Sequence, residues 1–288
     1  MKKTFLCLAT LASLWAPSAH AWGGTIALAG DSWAWLPCLF NSVPGAIRTE
    51  KLLGVDFVAC QSTSGMQIHA ENWLGRKEHQ NILSVLRNRK DVNVLYFSMG
   101  GNDFMKYWRK TMTPQEEQAM NEKIRNWMEA ILKEFLAVRP DFKILISGYD
   151  YPRFFTEHAS IPNYDKLYKR AGEPSIVEIN SALQRFTLEM LKLADNKRVF
   201  YIHHLGVAQY YHGSKDTGLQ PFTTLAPALI SSSDHPERMG GDVNSETDRD
   251  AMLGAVGYID SYHLSPNTFT LTVRHSIQQY LRDWFQAP

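Results

Sequence analysis

Five short apolar stretches alternate with helix-patterned segments, and this alternation constrains the fold of the 288-residue chain more than anything else in it. The stretches are Ile26 to Ala29, Val55 to Cys60, Val92 to Ser98, Lys143 to Ser147 and Arg198 to Ile202. Strands joined through helices pair in parallel, and the helices must then cover both faces of the sheet. The expectation is a single three-layer α/β/α sandwich around a five-stranded parallel sheet, with no internal repeat and no linker. Arg76 to Arg89 reads as an amphipathic helix with Ile82, Leu83 and Leu86 inward. Thr113-Pro-Gln-Glu116 is a capping box with proline at the first helical position, opening a helix to about Val138. Pro44-Gly45 begins a short helix ending near Leu53-Gly54, Pro174 to Asp195 forms a long one, and Ser265-Pro266 caps the last, to about Phe285. Trp33 to Asn41 reads as irregular, and the stretch from Pro152 to about Gly172 as a loop. Residues 206–259, rich in Gly, Ser, Pro, Asp and Thr, read as a long insertion of the functional or mobile kind.

The N-terminus has the pattern of a secretory signal. Lys2 and Lys3 precede the apolar run Phe5 to Trp15, and Ala19-His20-Ala21 supplies a small-x-small cleavage site. Residues 1–21 are therefore expected to be a signal peptide and 22–288 the mature domain, exported to the periplasm or the medium. Removing Lys2 and Lys3 from the 30 basic residues leaves 28 against 29 acidic ones. With no basic patch, nucleic acid is not an expected partner. No later run of about 18 apolar residues offers a transmembrane segment. Cys7 leaves with the signal. In an exported chain the remaining pair, Cys38 and Cys60, favours a disulfide. Both lie beyond the carboxyl ends of strands expected to be neighbours, though two separate buried thiols stay an alternative.

Chemistry-bearing residues gather just past the strand ends. The first strand breaks at Gly30-Asp31-Ser32, which puts a hydroxyl at the carboxyl edge of the sheet, where ligands bind in open α/β folds. The second leads to Ser64-Gly65, the third to Gly100-Gly101-Asn102-Asp103, and Asp260-Ser-Tyr-His263 precedes the last helix. Singly, each block has a plainer reading: Gly-Asp-Ser as a turn or helix cap, Asn102-Asp103 as a turn, Asp260-x-x-His263 as a loop hydrogen bond.

Together, in this order, the four blocks resemble those of the GDSL or SGNH hydrolases, with Trp33 where the family name has leucine. The resemblance implies a flavodoxin-like sandwich and a secreted serine esterase, lipase or acetylesterase. A serine hydroxyl becomes nucleophilic when a base takes its proton. His263 would be that base for Ser32, and Asp260 would hold its tautomer and stabilise the imidazolium. The resemblance assigns the oxyanion hole to the Ser32 N–H, the Gly65 N–H and the Asn102 side-chain amide, each worth on the order of 3 kcal/mol of barrier. A side chain at Gly65 would crowd the acyl group, and an amide at Asn102 donates without titrating. Asp31 and Asp103 are expected to brace their loops.

His203-His204 cannot readily share an ion if on a strand, since neighbours there point to opposite faces, and the other histidines show no ligand spacing. No metal is expected, and no nucleotide cofactor, because neither a Gly-x-Gly-x-x-Gly nor a P-loop pattern occurs. Trp33, Trp35, Phe40, Trp73, Phe104, Tyr107, Trp108, Tyr258 and Tyr262 crowd the motif loops, either as core or as walls of a substrate site. The expected partner is a small-molecule or glycan ester, with short acyl or acetyl groups favoured. Lysophospholipase, thioesterase and acyltransferase activity on the same triad stay open, as does a noncatalytic binding protein on a hydrolase scaffold. Oligomeric state is not legible.

Overall fold

The computed structural model describes residues 23–52, 54–62, 68–213, 240–255 and 258–285. The expected signal peptide, Gly65 and residues 214–239 of the insertion lie outside the described residues.

The expected sandwich is the observed fold. Strands β1 (Gly24–Gly30), β2 (Val55–Ser62), β3 (Val92–Ser98), β4 (Lys143–Ser147) and β5 (Val199–Ile202) form one sheet in the order β2-β1-β3-β4-β5. Every pairing in it is parallel. Alternation along β1 shows how two cores arise. Ile26 and Leu28 face one side with Val94, Tyr96 and Leu145, while Ala27 and Ala29 face the other with Leu95, Phe97 and Ile144. On the first side lie α2 (Ser42–Thr49) and the C-terminal helical run, through Val43, Ala46, Val273, Ile277 and Leu281. On the second lie α3 (Lys77–Asn88), α5 (Pro114–Val138) and α8 (Ile176–Leu191), through Ile82, Leu86, Ile124, Met128, Ile131, Phe135, Leu183 and Phe186. The C-terminal run is α10 (Pro266–Ser276), a π-helical turn over Ile277–Leu281, and α11 (Arg282–Phe285).

The order 2-1-3-4-5 reverses direction at β1: the chain leaves it toward β2 on one side and returns to β3 on the other. The crevice beyond the carboxyl ends of β1 and β3 is thus the switch point where such sheets bind ligands.

Four stretches differ from the sequence reading. Trp33 to Asn41 is mostly helix, α1 (Ser32–Leu39), despite Pro37 inside it. Aromatic residues and a proline are poor helix formers, but Asp31 caps this helix and Trp33, Ala34 and Leu36 are buried. The 152–172 loop contains α6 (Phe154–Glu157) and α7 (Pro162–Ala171), the latter begun by Pro162 at its first turn and ended by Gly172 in the left-handed region at φ 93°. The described parts of the insertion are folded as well. They hold α9 (Val207–His212) and the strand β6 (Met252–Ala255), which pairs antiparallel with β7 (Tyr258–Leu264), the strand that begins at the insertion's end, in a small second sheet. Composition misleads there because the polar residues are internal bonding partners. Ser245, Glu246, Thr247 and Asp248 are all buried, the Thr156 N–H donates to Glu246 Oε1 at 2.9 Å, and Arg153 Nη1 donates to the Thr247 carbonyl at 3.1 Å. The short helix expected to reach Leu53 stops at Thr49.

Candidate active site

The site begins where β1 stops. Gly30 has φ +139°, and a Cβ there would lie 1.9 Å from the Ser98 carbonyl oxygen, so only glycine lets β1 pass β3 at this point. Asp31 follows as the N-cap of α1, accepting the Trp33 N–H at 3.0 Å. Ser32, the first residue of α1, is thereby held at the sheet edge. The cap reading of Gly-Asp-Ser falls to Asp31, and Ser32 is the residue left with its hydroxyl at the sheet edge.

A second set of bonds joins this turn to the β3 turn. The Tyr149 hydroxyl donates to Asp31 Oδ2 at 2.6 Å and accepts the Gly101 N–H at 2.7 Å. Burial pushes the Asp31 carboxyl up to about 6, against the Tyr149 hydrogen bond, the Trp33 N–H and the charge of His263. Asp103, on α4 (Gly101–Tyr107), accepts the Ala70 N–H at 2.7 Å and the Glu71 N–H at 3.3 Å, tying the segment after β2 to the same edge. Burial lifts its carboxyl to about 7. Both aspartates spend their oxygens on holding the turns together.

His263 arrives from β7. Its Nε2 lies 2.7 Å from Ser32 Oγ across 231 positions of sequence, and its Nδ1 lies 2.8 Å from Asp260 Oδ2. The three-residue spacing lets one carboxylate do several tasks. Asp260 Oδ1 accepts the Tyr262 and His263 N–H groups, both at 2.8 Å, while Oδ2 faces the imidazole. Burial alone would raise the Asp260 carboxyl; the His263 hydrogen bond and charge, with the two backbone N–H groups, outweigh it and leave the group below its ordinary value. Because the carboxylate accepts at Nδ1, that nitrogen carries the proton and the Nε2 lone pair faces Ser32. β7 is set in place by its pairing with β6 and by the Arg153 backbone N–H, which donates to the Ser261 carbonyl at 3.0 Å.

Asn102 lines the same cleft, its Nδ2 donating to the Ile68 carbonyl at 2.8 Å. The cleft encloses about 580 Å³, and Trp35, Leu36, Met105, Leu253 and Tyr262 give it apolar surface. Of the motif-loop aromatics, Trp35 and Tyr262 are thus cleft walls. Trp33 is core, edge-on to Tyr149 and Phe269 at 5.2 Å each, and Trp73, Phe104 and Trp108 are buried with it. Cys38 at the end of α1 and Cys60 on β2 are bonded, with Cα atoms 6.3 Å apart.

Two contributions escape the sequence reading, both from α7. Tyr164 donates its hydroxyl to Asp260 Oδ2 at 3.3 Å and stands 3.1 Å from His263 Nδ1. Asn163, Lys166, Leu167 and Arg170 line the cleft from successive turns of the same helix. The signal for α7 was present in Pro162, in Gly172, and in Tyr164, Tyr168 and Ala171 at helical spacing. His203 and His204 follow β5 and are both buried. His204 Nε2 lies 2.9 Å from Ser147 Oγ and its Nδ1 lies 3.3 Å from His275 Nδ1.

Fold and site together define a parallel α/β sandwich with a hydrogen-bonded serine, histidine and aspartate at the carboxyl edge of its sheet. No family model matches the chain, and no curated protein matches it. Solved structures similar to it include Est24, a carbohydrate acetylesterase from Sinorhizobium meliloti, 12% identical with a TM-score of 0.48, covering 91% of this chain and 99% of that one. An aryl esterase from M. smegmatis is 12% identical with a TM-score of 0.46, covering 91% and 99%. A family 3 carbohydrate esterase from Clostridium thermocellum is 13% identical with a TM-score of 0.44, covering 91% and 97%. At scores below 0.5, the chemistry has to be read from the side chains themselves.

Proposed function

We propose that the chain is a serine ester hydrolase that works through an acyl-enzyme on Ser32. The observation that carries this reading is the unbroken series Ser32 Oγ, His263 Nε2, His263 Nδ1 and Asp260 Oδ2, with separations of 2.7 and 2.8 Å, inside a substrate-sized cleft. Ser32 Oγ attacks the ester carbonyl as its proton passes to His263 Nε2. The tetrahedral intermediate collapses, and the leaving alkoxide takes that proton. Water then repeats the sequence on the acyl-enzyme, giving up a proton to His263 and releasing the acid and the free hydroxyl. Asp260 stabilises the imidazolium in both halves. The developing oxyanion is met by the Ser32 N–H at the start of α1 and the Asn102 amide; the third donor, the Gly65 N–H, is carried only by the sequence resemblance, since Gly65 lies outside the described residues. Support for Asn102 is its place in the same cleft as Ser32 and the Ile68 carbonyl that orients its amide.

The mixed lining of the cleft favours short acyl groups, acetyl above all, over long-chain triglyceride. The Cys38–Cys60 bond supports export to an oxidising compartment. Among the described residues no helix is long and apolar enough to cross a membrane. The decisive experiment is fluorophosphonate labelling with aryl-ester turnover. Wild type is expected to be labelled on Ser32. Ser32→Ala and His263→Ala should each lower kcat about 10⁴-fold or more while the circular dichroism spectrum stays the same. Near-normal turnover by Ser32→Ala would sink the assignment. A series of aryl esters from acetyl to palmitoyl tests the acyl preference, which fails if kcat/KM climbs steadily with chain length.

A further inference from the structure

The cleft face of α7 carries charge that no ion pair among the described residues neutralises. Lys166 and Arg170 are one turn apart, and like charges at that spacing on a helix repel each other. On another part of the same helix, Lys169 bonds Asp165 at 2.8 Å, so α7 pairs the lysine that has no part in the cleft. Among the described residues, no ion pair involves Lys166 or Arg170; Arg170 Nη2 donates to the Met105 carbonyl at 3.3 Å. Nearby, Arg109 donates to the Lys106 and Trp108 carbonyls. Burial, and behind it the like charge of Arg170, holds its guanidinium below the usual value. Lys106, also in the cleft lining, is bonded to Glu71. Asp260 is the carboxylate of the lining, and it is engaged with His263. The chain as a whole is close to neutral, and Lys166 and Arg170 are exposed where α7 borders the cleft.

Resting on the ester hydrolase reading, we propose that Lys166 and Arg170 select an ester whose alcohol portion carries an anionic group, a carboxylate or a phosphate. A planar guanidinium and an ammonium one turn apart suit either anion. Placed on the wall of the cleft and bonded to no member of the Ser32–His263–Asp260 series, they act on recognition: the anion is bound before and during acyl transfer, so the effect appears in kcat/KM.

The test compares three acetyl esters of matched skeleton: an O-acetylated uronic acid, the corresponding neutral O-acetylated hexose, and the O-acetylated hexose phosphate. The quantity read is kcat/KM for each anionic ester divided by that for the neutral one. In wild type at low salt at least one ratio should be about fivefold or more, as two partly exposed ion pairs allow. Added salt should reduce it. Lys166→Gln with Arg170→Gln should bring it toward one, and Lys166→Glu with Arg170→Glu should invert it. Which anion shows the higher ratio decides between carboxylate and phosphate. Wild-type ratios at or below one for both anions, or ratios that the double variants leave in place, overturn the proposal while the hydrolase reading stands. Ser32 labelled by a fluorophosphonate without turnover of either anionic ester also overturns the proposal alone. No labelling and no acetate from any of the three overturns both.

Discussion

At the residue scale the site depends on carboxylates in unlike settings. Asp260 is held ionised by an imidazole and two backbone N–H groups, whereas Asp31 and Asp103 are buried and pushed up to about 6 and about 7. The first can stabilise a developing imidazolium; the other two are braces. Two predictions belong here. Asn102→Ala should lose about 10² to 10³ in kcat with KM little changed, as expected of a donor used in the transition state. A change confined to KM would instead make it a ground-state contact. Tyr164→Phe should lower kcat about threefold to tenfold, since one hydrogen bond to a charged group is lost and the imidazole keeps its main partner. Kinetics on an acetyl aryl ester, with thermal melting to show intact folding, checks both. That Ser32, Asn102, Asp260 and His263 belong at one sheet edge could be read from sequence because each sits in a short block with its neighbours. The place of Tyr164 could not, because a tyrosine 96 positions from its aspartate carries no local mark of that bond.

At the element scale the carboxyl edge is assembled from turns that are stitched to one another. Gly30 packs against the Ser98 carbonyl, Tyr149 bridges Asp31 and Gly101, and Asp103 holds the backbone after β2. The Cys38–Cys60 bond adds a covalent tie between α1 and β2 across 22 positions. Replacing both cysteines with alanine should cost about 3 kcal/mol by the loop-closure argument, read as a lower denaturant midpoint in protein from an oxidising compartment. Two free thiols in that protein by mass spectrometry would remove the basis of the expectation. Two of the stretches misread from sequence share a cause. In α1, and in the stretch containing β6 and β7, local propensity and composition point away from regular structure, and burial with long-range hydrogen bonds overrides them. For α7 the local signals were adequate, and the run of tyrosines and charges obscured them.

At the scale of the whole molecule, stability should depend on pH through buried groups of opposite sense. Burial, and then the charge of His203, holds His275 down to about 3, and His204 is likewise well below its ordinary value. Unfolded, both take up protons as the pH falls below about 6.5, so the unfolded state binds more protons there and stability drops with pH. Asp31, Asp103 and Asp150 run the other way. Burial lifts Asp150 to about 7 although three backbone N–H groups bond it. Such groups are protonated in the fold while still charged in the unfolded chain, so they add stability as the pH falls from about 7 toward 4. His275→Gln should therefore lose less unfolding free energy than wild type between pH 6.5 and 4, in roughly that window, and Asp150→Asn should lose more. Urea titrations across the range decide it, and the opposite ranking would overturn the linkage.

The sequence by itself determined the parallel sheet, its two apolar faces, the amphipathic helices over it and the blocks at its carboxyl edge. Apolar runs, helical periodicity and turn residues act over a few positions, and they can be read where they stand. Only the tertiary structure decided which residues of distant segments share the cleft. It set His263 on a second small sheet within reach of Ser32, brought α7 alongside with Tyr164 at the aspartate, and left Lys166 and Arg170 on the cleft wall. The physical reason is that a hydrogen bond spanning 231 positions depends on how the layers pack, and packing energy is shared over the entire core instead of being written in any one stretch of chain.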